Sequence, residues 1–471
     1  PDVSDADLGG DRVLSPGETT SPFTFEVKHK GESFSYFIEA RAVVTDVAAE
    51  PEFLVNTTDD LPDTNPGDRV CETEIGLCSL RAAIEESNAS TGVNSIILTG
   101  ETYNIEGEFF EITDDLSIEG VSQDATVIAT LSFFIDKFTW TIAEDITVSL
   151  RNLTLRGLSA GDDFLRDGTN GIENFGTLTL EDVTVTDNYS SVSSRAGVAN
   201  RGKLSVLRST ISENGALPFS GSNGYGIFSS GELIVKDSQI IDNEGPGISA
   251  SGSLLVEDSL IKDNRGAEAE KGGGIGSSGD AVIRRSTIQS NSLSEFAFGG
   301  GIYNDGTMLI ENSLIDENSV DWGSTGIDSF GGGIYNLGTL TVVRSTLSNN
   351  RVSGTNRGRR LGLGRGGGLY NASAGTVTLV NSTLSKNLAT SDETPAGGGI
   401  YNLGSLSLVN STLNENASRR SILNDDPISN SAGALYNEGA IEIQNTIIAN
   451  SDALTECEGT GTTTSLGNNL V

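Results

Sequence analysis

The sequence predicts an all-β chain wound as a parallel β-helix, and three observations carry that prediction. One phrase recurs nine times between residues 171 and 416: a glycine-led turn, a run of alternating apolar residues, then an asparagine seventeen positions after the glycine. It is plain at Gly333 to Asn350 (GIYNLGTLTVVRSTLSNN) and Gly399 to Asn416 (GIYNLGSLSLVNSTLNEN), and holds from Gly171 to Asn188 onward, with two extra residues between Gly368 and Asn387. Within each copy the apolar residues alternate, as Leu340 and Val342 or Leu406 and Leu408 do, which is the period of a half-buried strand. A strand unit repeated every twenty to forty residues cannot bury its apolar face alone, so successive copies stack into a coil.

Each element of the rung follows from its residues. The GIYN segment forms a first short strand, the next glycine (Gly306, Gly338 or Gly404) makes a tight bend, and TLTV or SLSL forms a second strand. A polar pair turns the chain again into a third strand, closed by an asparagine. Asn318, Asn350, Asn387 and Asn416 are expected to stack as a structural column, each taking the left-handed backbone of a sharp corner while side-chain amides bond along the column. Tyr303, Tyr335, Tyr370, Tyr401 and Tyr436 recur in register and are expected to stack as well. Length varies only after the terminal asparagine. The insertions at 189–196, 215–225, 265–273, 292–300, 319–332, 351–367, 388–398 and 417–432 are therefore expected as loops on one lateral face.

The flanking segments differ. Residues 1–50 carry FTFEVKH and SFSYFIEARAVV, alternating runs that read as a β-hairpin, or a fragment of a sandwich, able to pack on the solenoid or pair with another copy. Residues 51–94 read as a linker and capping segment: Asp59 to Asp68 has linker composition, and a helix near 79–89 puts Leu80, Ala83 and Ile84 on one face and Glu85 and Glu86 on the other. That helix is expected to plug the first rung of the β-helix, which takes residues 95–471. The opening PDVSDADLGG reads as a processed or cut start, and the ending at Leu470 and Val471 as an edge that another subunit could cover.

The 471 residues include 65 acidic and 29 basic side chains, a formal charge of −36. Such a balance argues against nucleic acid and anionic membrane as partners, and no apolar stretch reaches the length needed for membrane insertion. The acidic, lysine-poor surface suits a salty medium or one rich in divalent cations. No cofactor is called for beyond Ca²⁺ held by surface acids. Cys71 and Cys78 lie close enough to close a small loop in an oxidising compartment, the other reading being two buried thiols; Cys457 has no obvious mate.

Chemistry is sparse. The single histidine, His29, lies in the hairpin, which removes a solenoid-based Ser/His nucleophile or His-ligated metal. Asp114 with Asp115, Asp162 with Asp163 and Asp425 with Asp426 are carboxylate pairs that could serve glycoside chemistry, against the ordinary reading of Asp as a turn residue. The most unusual stretch is RVSGTNRGRRLGLGR, which places Arg351, Arg357, Arg359, Arg360 and Arg365 in an acidic chain, with Arg419 and Arg420 two insertions later on the same face. Arginine suits bidentate contact with carboxylates, so this face is a candidate for an acidic glycan or an acidic patch on another copy; the alternative is a solvated loop. Trp322, in a neighbouring insertion, is a candidate for stacking on a sugar ring.

Three motifs carry a family resemblance. CSLRAAI at Cys78 to Ile84, preceded by Cys71, resembles the CSLREA motif found near the start of bacterial and archaeal surface proteins, with Ala82 in place of the motif's glutamate. GGGIYN and the LxxN phrases resemble the repeats of chlamydial polymorphic outer-membrane proteins, and the tail from Asn445 resembles the choice-of-anchor Q segment of secreted proteins. The resemblance implies a secreted or surface-displayed β-helix of right-handed coil. The reading is a structural or adhesive protein, extracellular or at the cell surface, binding copies of itself or a surface glycan. The alternative is a polysaccharide lyase or glycoside hydrolase using carboxylates and arginines of the loop face.

Overall fold

The computed structural model describes residues 52–471 apart from 91, 93, 107–109, 131–139, 158–170, 191–194, 217–223, 267–270, 295–296, 322–327, 355–361, 392–394, 421–431 and 453–454. The chain divides into two units, 1–52 and 53–471. The expected hairpin of residues 1–50 lies outside the described residues.

The second unit is a right-handed parallel β-helix. In one rung the strands are Ile334–Asn336, Thr339–Val343 and Thr346–Ser348. Each pairs in parallel with its counterpart on the next rung: Ile334 with Leu369, Leu340 with Val377, Leu347 with Leu384. The alternation in TLTVV puts Leu340 and Val342 inside and leaves Thr339 exposed. Stacked over all rungs, the inward residues form one continuous apolar core from Phe53 to Ile448. In-register stacking brings identical side chains together, so each rung covers the apolar face of its neighbour.

Corners are made in two ways. At the bend between first and second strands the rungs approach so closely that a side chain has no room: a Cβ on Gly338 would sit 2.1 Å from the Gly306 carbonyl oxygen, and one on Gly404 would sit 2.2 Å from that of Gly375. The other two corners use left-handed residues, Arg344 (φ 48) and Asn349 (φ 54). Here the structure corrects the expectation for the column asparagines. The left-handed residue is the one before each of them, and its type varies from Glu317 to Lys386 and Glu415. Asn350 itself must aim its amide inward, so the strain of roughly 1–2 kcal/mol falls on its neighbour.

The described first residues of the insertions form strands where loops were expected. Past the column asparagines run short strands, Ser292–Ser294, Ser319–Asp321, Arg351–Gly354, Leu388–Ser391 and Ala417–Arg420, paired in parallel as a further sheet. Leu293, Val320, Val352 and Ala389 give this sheet its own small core. The sequence signal was one apolar residue two positions after Asn291, Asn318, Asn350 and Asn387, too short to read as a strand alone.

At the N-terminal end, helix α1 (Leu80–Ala89) starts at Ser79, whose side chain accepts from the Ala82 N–H. Leu80, Ala83 and Ile84 join the core. Glu86, expected on the outer face, is fully buried. Its carboxylate receives the backbone N–H groups of Gly67, at 2.5 Å, and Arg69, while Glu85 receives that of Asp63 at 2.7 Å. The supposed linker is thus a strap bound across the helix, tied further by the Cys71–Cys78 disulfide (Cα–Cα 5.0 Å) and the Arg81–Asp60 ion pair at 2.8 Å. A loop this short contributes about 2–3 kcal/mol when closed. Cys71→Ser with Cys78→Ser is expected to raise hydrogen exchange in residues 61–90 and leave the rungs beyond 170 unchanged; uniform loss of protection would refute a local role for the strap.

Candidate functional site

The insertion face is built from two stacked columns. Each insertion departs past the short sheet, where Arg351 pairs with Ser319 and Leu388, and Leu388 with Ala417. It returns through Lys271, Phe298, Phe330, Arg365 and Ala396, which bridge one to the next in parallel. Both ends of each excursion are therefore fixed by the rungs above and below.

Of the arginines expected on this face, Arg351, Arg419 and Arg420 lie on the short sheet and Arg365 on the returning column. Arg351 is exposed at the start of the short sheet. Arg419 lies two positions further along, in the column of Ser353 and Thr390, and pairs with Asp452. Arg420 is half-buried beside Ser391 in register. Arg365 turns to the opposite column, its guanidinium 4.9 Å from the centre of the Tyr401 ring. Arg357, Arg359, Arg360 and Trp322 lie outside the described residues.

The tyrosines form the expected stack. Tyr303, Tyr335, Tyr370, Tyr401 and Tyr436 stand with successive ring centroids 5.5, 5.1, 5.3 and 5.0 Å apart and planes within 11° of parallel. Phe298 and Phe330 cover them from the returning insertions, and Lys271 lies 4.9 Å from the Tyr303 ring centre. Ring faces are thus occupied by other rings. Burial pushes the Tyr401 hydroxyl from the ordinary 10.0 up to about 12, with Arg365 opposing, and burial raises Tyr370 further still. A raised folded value means the stabilising contribution is complete below pH 10 and is lost as pH rises through 12. Absorbance titration near 295 nm is expected to show these phenols ionising late and together with unfolding; ionisation at the ordinary value without unfolding would contradict the packing.

Asn318, Asn350, Asn387 and Asn416 lie in one buried ladder. The Asn318 amide nitrogen donates to the Asn350 oxygen at 3.0 Å, Asn350 to Asn387 at 3.0 Å and Asn387 to Asn416 at 2.9 Å. Sequence reasoning missed two parallel columns. The last residue of GIYN forms a second ladder, Asn304, Asn336, Asn371, Asn402 and Asn437, with amide bonds of 2.7–2.9 Å. The serine after the second corner forms a third, in which Ser345 N–H donates to the Ser382 hydroxyl at 3.3 Å and Ser382 N–H to that of Ser411 at 3.4 Å. Their signal was a fixed polar letter at an inward strand position.

Acids and bases elsewhere pair between rungs. Arg208 bridges Glu181 and Asp182, both at 2.7 Å, and Arg285 bridges Glu257 at 2.6 Å and Asp258 at 2.8 Å. The hydrogen bond from Arg285 holds Asp258 below the ordinary carboxylate range. Asp115 serves as a cap, its carboxylate accepting the Thr147 N–H at 2.6 Å. The pairs at 162–163 and 425–426, and His29, lie outside the described residues. Among the described residues no group of three or more His, Cys, Asp or Glu is placed to hold a metal ion, and no helix is long and apolar enough to cross a membrane.

These features define a class, a right-handed parallel β-helix held by internal ladders. A family model described as a right-handed beta helix region matches residues 142–313. No curated protein matches. Among solved structures, the chain is similar to the catalytic unit of a GH87 α-1,3-glucanase from Streptomyces thermodiastaticus (14% identity, 90% of this chain and 69% of that one, TM-score 0.41). It is likewise similar to the A-module of the Azotobacter vinelandii mannuronan C-5 epimerase AlgE6 (13%, 89% and 98%, TM-score 0.37) and to pectate lyase Pel9A (13%, 90% and 79%, TM-score 0.29).

Proposed function

We propose that the chain is a structural and adhesive protein, extracellular or at a cell surface, that displays its insertions along one edge of a rigid rod and associates with copies of itself or a surface glycan. The observation that supports this reading is a shared junction: from Arg265 onward the insertions that follow the column asparagines leave through the short sheet and return through a second stacked column, so their length varies without disturbing the rungs. Arg351 offers a cation at that edge in an otherwise acidic chain. Self-association would run through the hairpin or the coil ends.

The test is particle length. Electron microscopy and small-angle scattering of the purified full chain are expected to show rods longer than one solenoid, with shorter rods after Arg351→Glu or after adding an acidic glycan. Dispersed single rods that cleave an acidic polysaccharide would replace this reading with the lyase or hydrolase alternative.

A further inference from the structure

The second and third strands of three successive rungs present an outward surface unlike the rest of the molecule. In column order it reads Thr339, Thr376, Ser405; Thr341, Thr378, Ser407; Val343, Val380, Val409; then, past the corner, Thr346, Thr383, Thr412 and Ser348, Ser385, Asn414. None of these fifteen positions carries a charge, in a chain of net −36, and the charged corner residues of the same rungs are paired, Arg344 with Glu311 of the rung before and Lys386 with Glu415. The rung before brings Glu311 and Asp316 into the same columns, and the rung after brings Glu442.

Three further properties bear on what such a surface binds. First, its hydroxyls are unspent: among the described residues only Ser348, bonded to Asp316 at 2.6 Å, and Asn414, accepting from Asn450 at 2.7 Å, engage another side chain. Second, it is preorganised. Parallel pairing fixes a two-dimensional grid, about 4.8 Å between rungs and about 6.6 Å between alternate residues, and β-branched threonine is stiff at χ1, so methyl and hydroxyl positions repeat. Third, it is little walled: among the described residues of these rungs the long insertions leave beyond the Asn349 corner, and on the other side the bend is tight at Gly338 and Gly404 and longer only by the exposed Ser373 and Ala374 before Thr376.

Size and composition select the partner. Three rungs by eight residues give about 400 Å², half of what each partner buries in a stable protein complex, so a second copy is disfavoured. A polysaccharide surface would ask for aromatic platforms, and the aromatic column lies on another sheet with its ring faces filled. What remains is an uncharged solid offering hydrogen-bond donors and acceptors on a regular grid. We infer that this threonine-serine surface binds the crystal lattice of ice. Ordered hydroxyls and methyls anchor the outermost water layer. The inference is independent of the surface role proposed above.

The experiment is partition into slowly grown ice. The purified full chain is expected to concentrate in the ice and to facet single crystals, while Thr378→Lys and Thr341→Lys, at the centre of the grid, lower the ice-bound fraction at least tenfold. Thr378→Val removes only a hydroxyl and guards against misfolding, with an intermediate loss. Asp280→Lys, exposed in the same outer column three rungs below Thr376, is expected to partition as the parent does. Circular dichroism should be unchanged throughout. Exclusion of the parent chain from ice, equal partition of the Thr378 variants, or retention on microcrystalline uncharged polysaccharide with exclusion from ice each overturns the inference.

Discussion

Asn350→Ala is expected to destabilise the solenoid by about 3–5 kcal/mol, more than any exposed substitution in the same rung. The Asn350 amide nitrogen donates to the Ile315 carbonyl at 2.9 Å and to Asn387 at 3.0 Å. Its oxygen accepts both the backbone and side-chain N–H of Asn318 at 3.0 Å. Truncation strands all of these groups where water does not reach, and each buried unsatisfied partner costs about 1–3 kcal/mol. The adjacent Asn349 supplies the control. It is exposed and left-handed, its side chain donates to Asp316, and its backbone bond to the Ser385 carbonyl survives substitution, so Asn349→Gly should change stability by less than about 1 kcal/mol. Chemical denaturation followed by near-ultraviolet dichroism distinguishes the two; equal effects would mean that the ladder carries no stability.

The second large effect is expected at the glycine bend. Gly338→Ala drives a Cβ to 2.1 Å from the Gly306 oxygen and 2.9 Å from its nitrogen, backbone against backbone, with no flexible side chain to yield. Relief requires the rungs to part, which breaks parallel hydrogen bonds on both sides, so a loss of about 3 kcal/mol or more is expected. Gly100→Ala meets only ordinary contact, 3.4 Å from the Ala125 side chain, and should be tolerated. Melting temperature and soluble yield of the two variants provide the measurement. A tolerated Gly338→Ala would show that the rungs are spaced more loosely than drawn.

Much of the architecture was legible because the repeat is strict. Leu340 and Val342 gave the strand period, the asparagines and tyrosines gave the columns, and Gly338 gave the bend. What was not legible depended on geometry that spacing does not encode. The left-handed corner falls at Asn349 rather than Asn350 because the ladder residue must face inward. Glu86 looked like an exposed helix residue because the backbone donors that neutralise it, from Gly67 and Arg69, lie nearly twenty residues away. Of the five arginines near in sequence, two are described: Arg365 re-enters beside Tyr401 while Arg351 starts the short sheet. Charge count alone has no direction, and a fold that reverses within an insertion separates what sequence joins.

Direction is also what the amide columns possess. From Asn188 through Asn416 each amide nitrogen points to the oxygen on the following rung and never the reverse. The side-chain dipoles therefore add head to tail, each bond polarising the next by on the order of 10–30%. The penalty for losing one amide should consequently depend on where it sits, largest near Asn264 and Asn291 and smallest at the terminal members, even though every site has the same local chemistry.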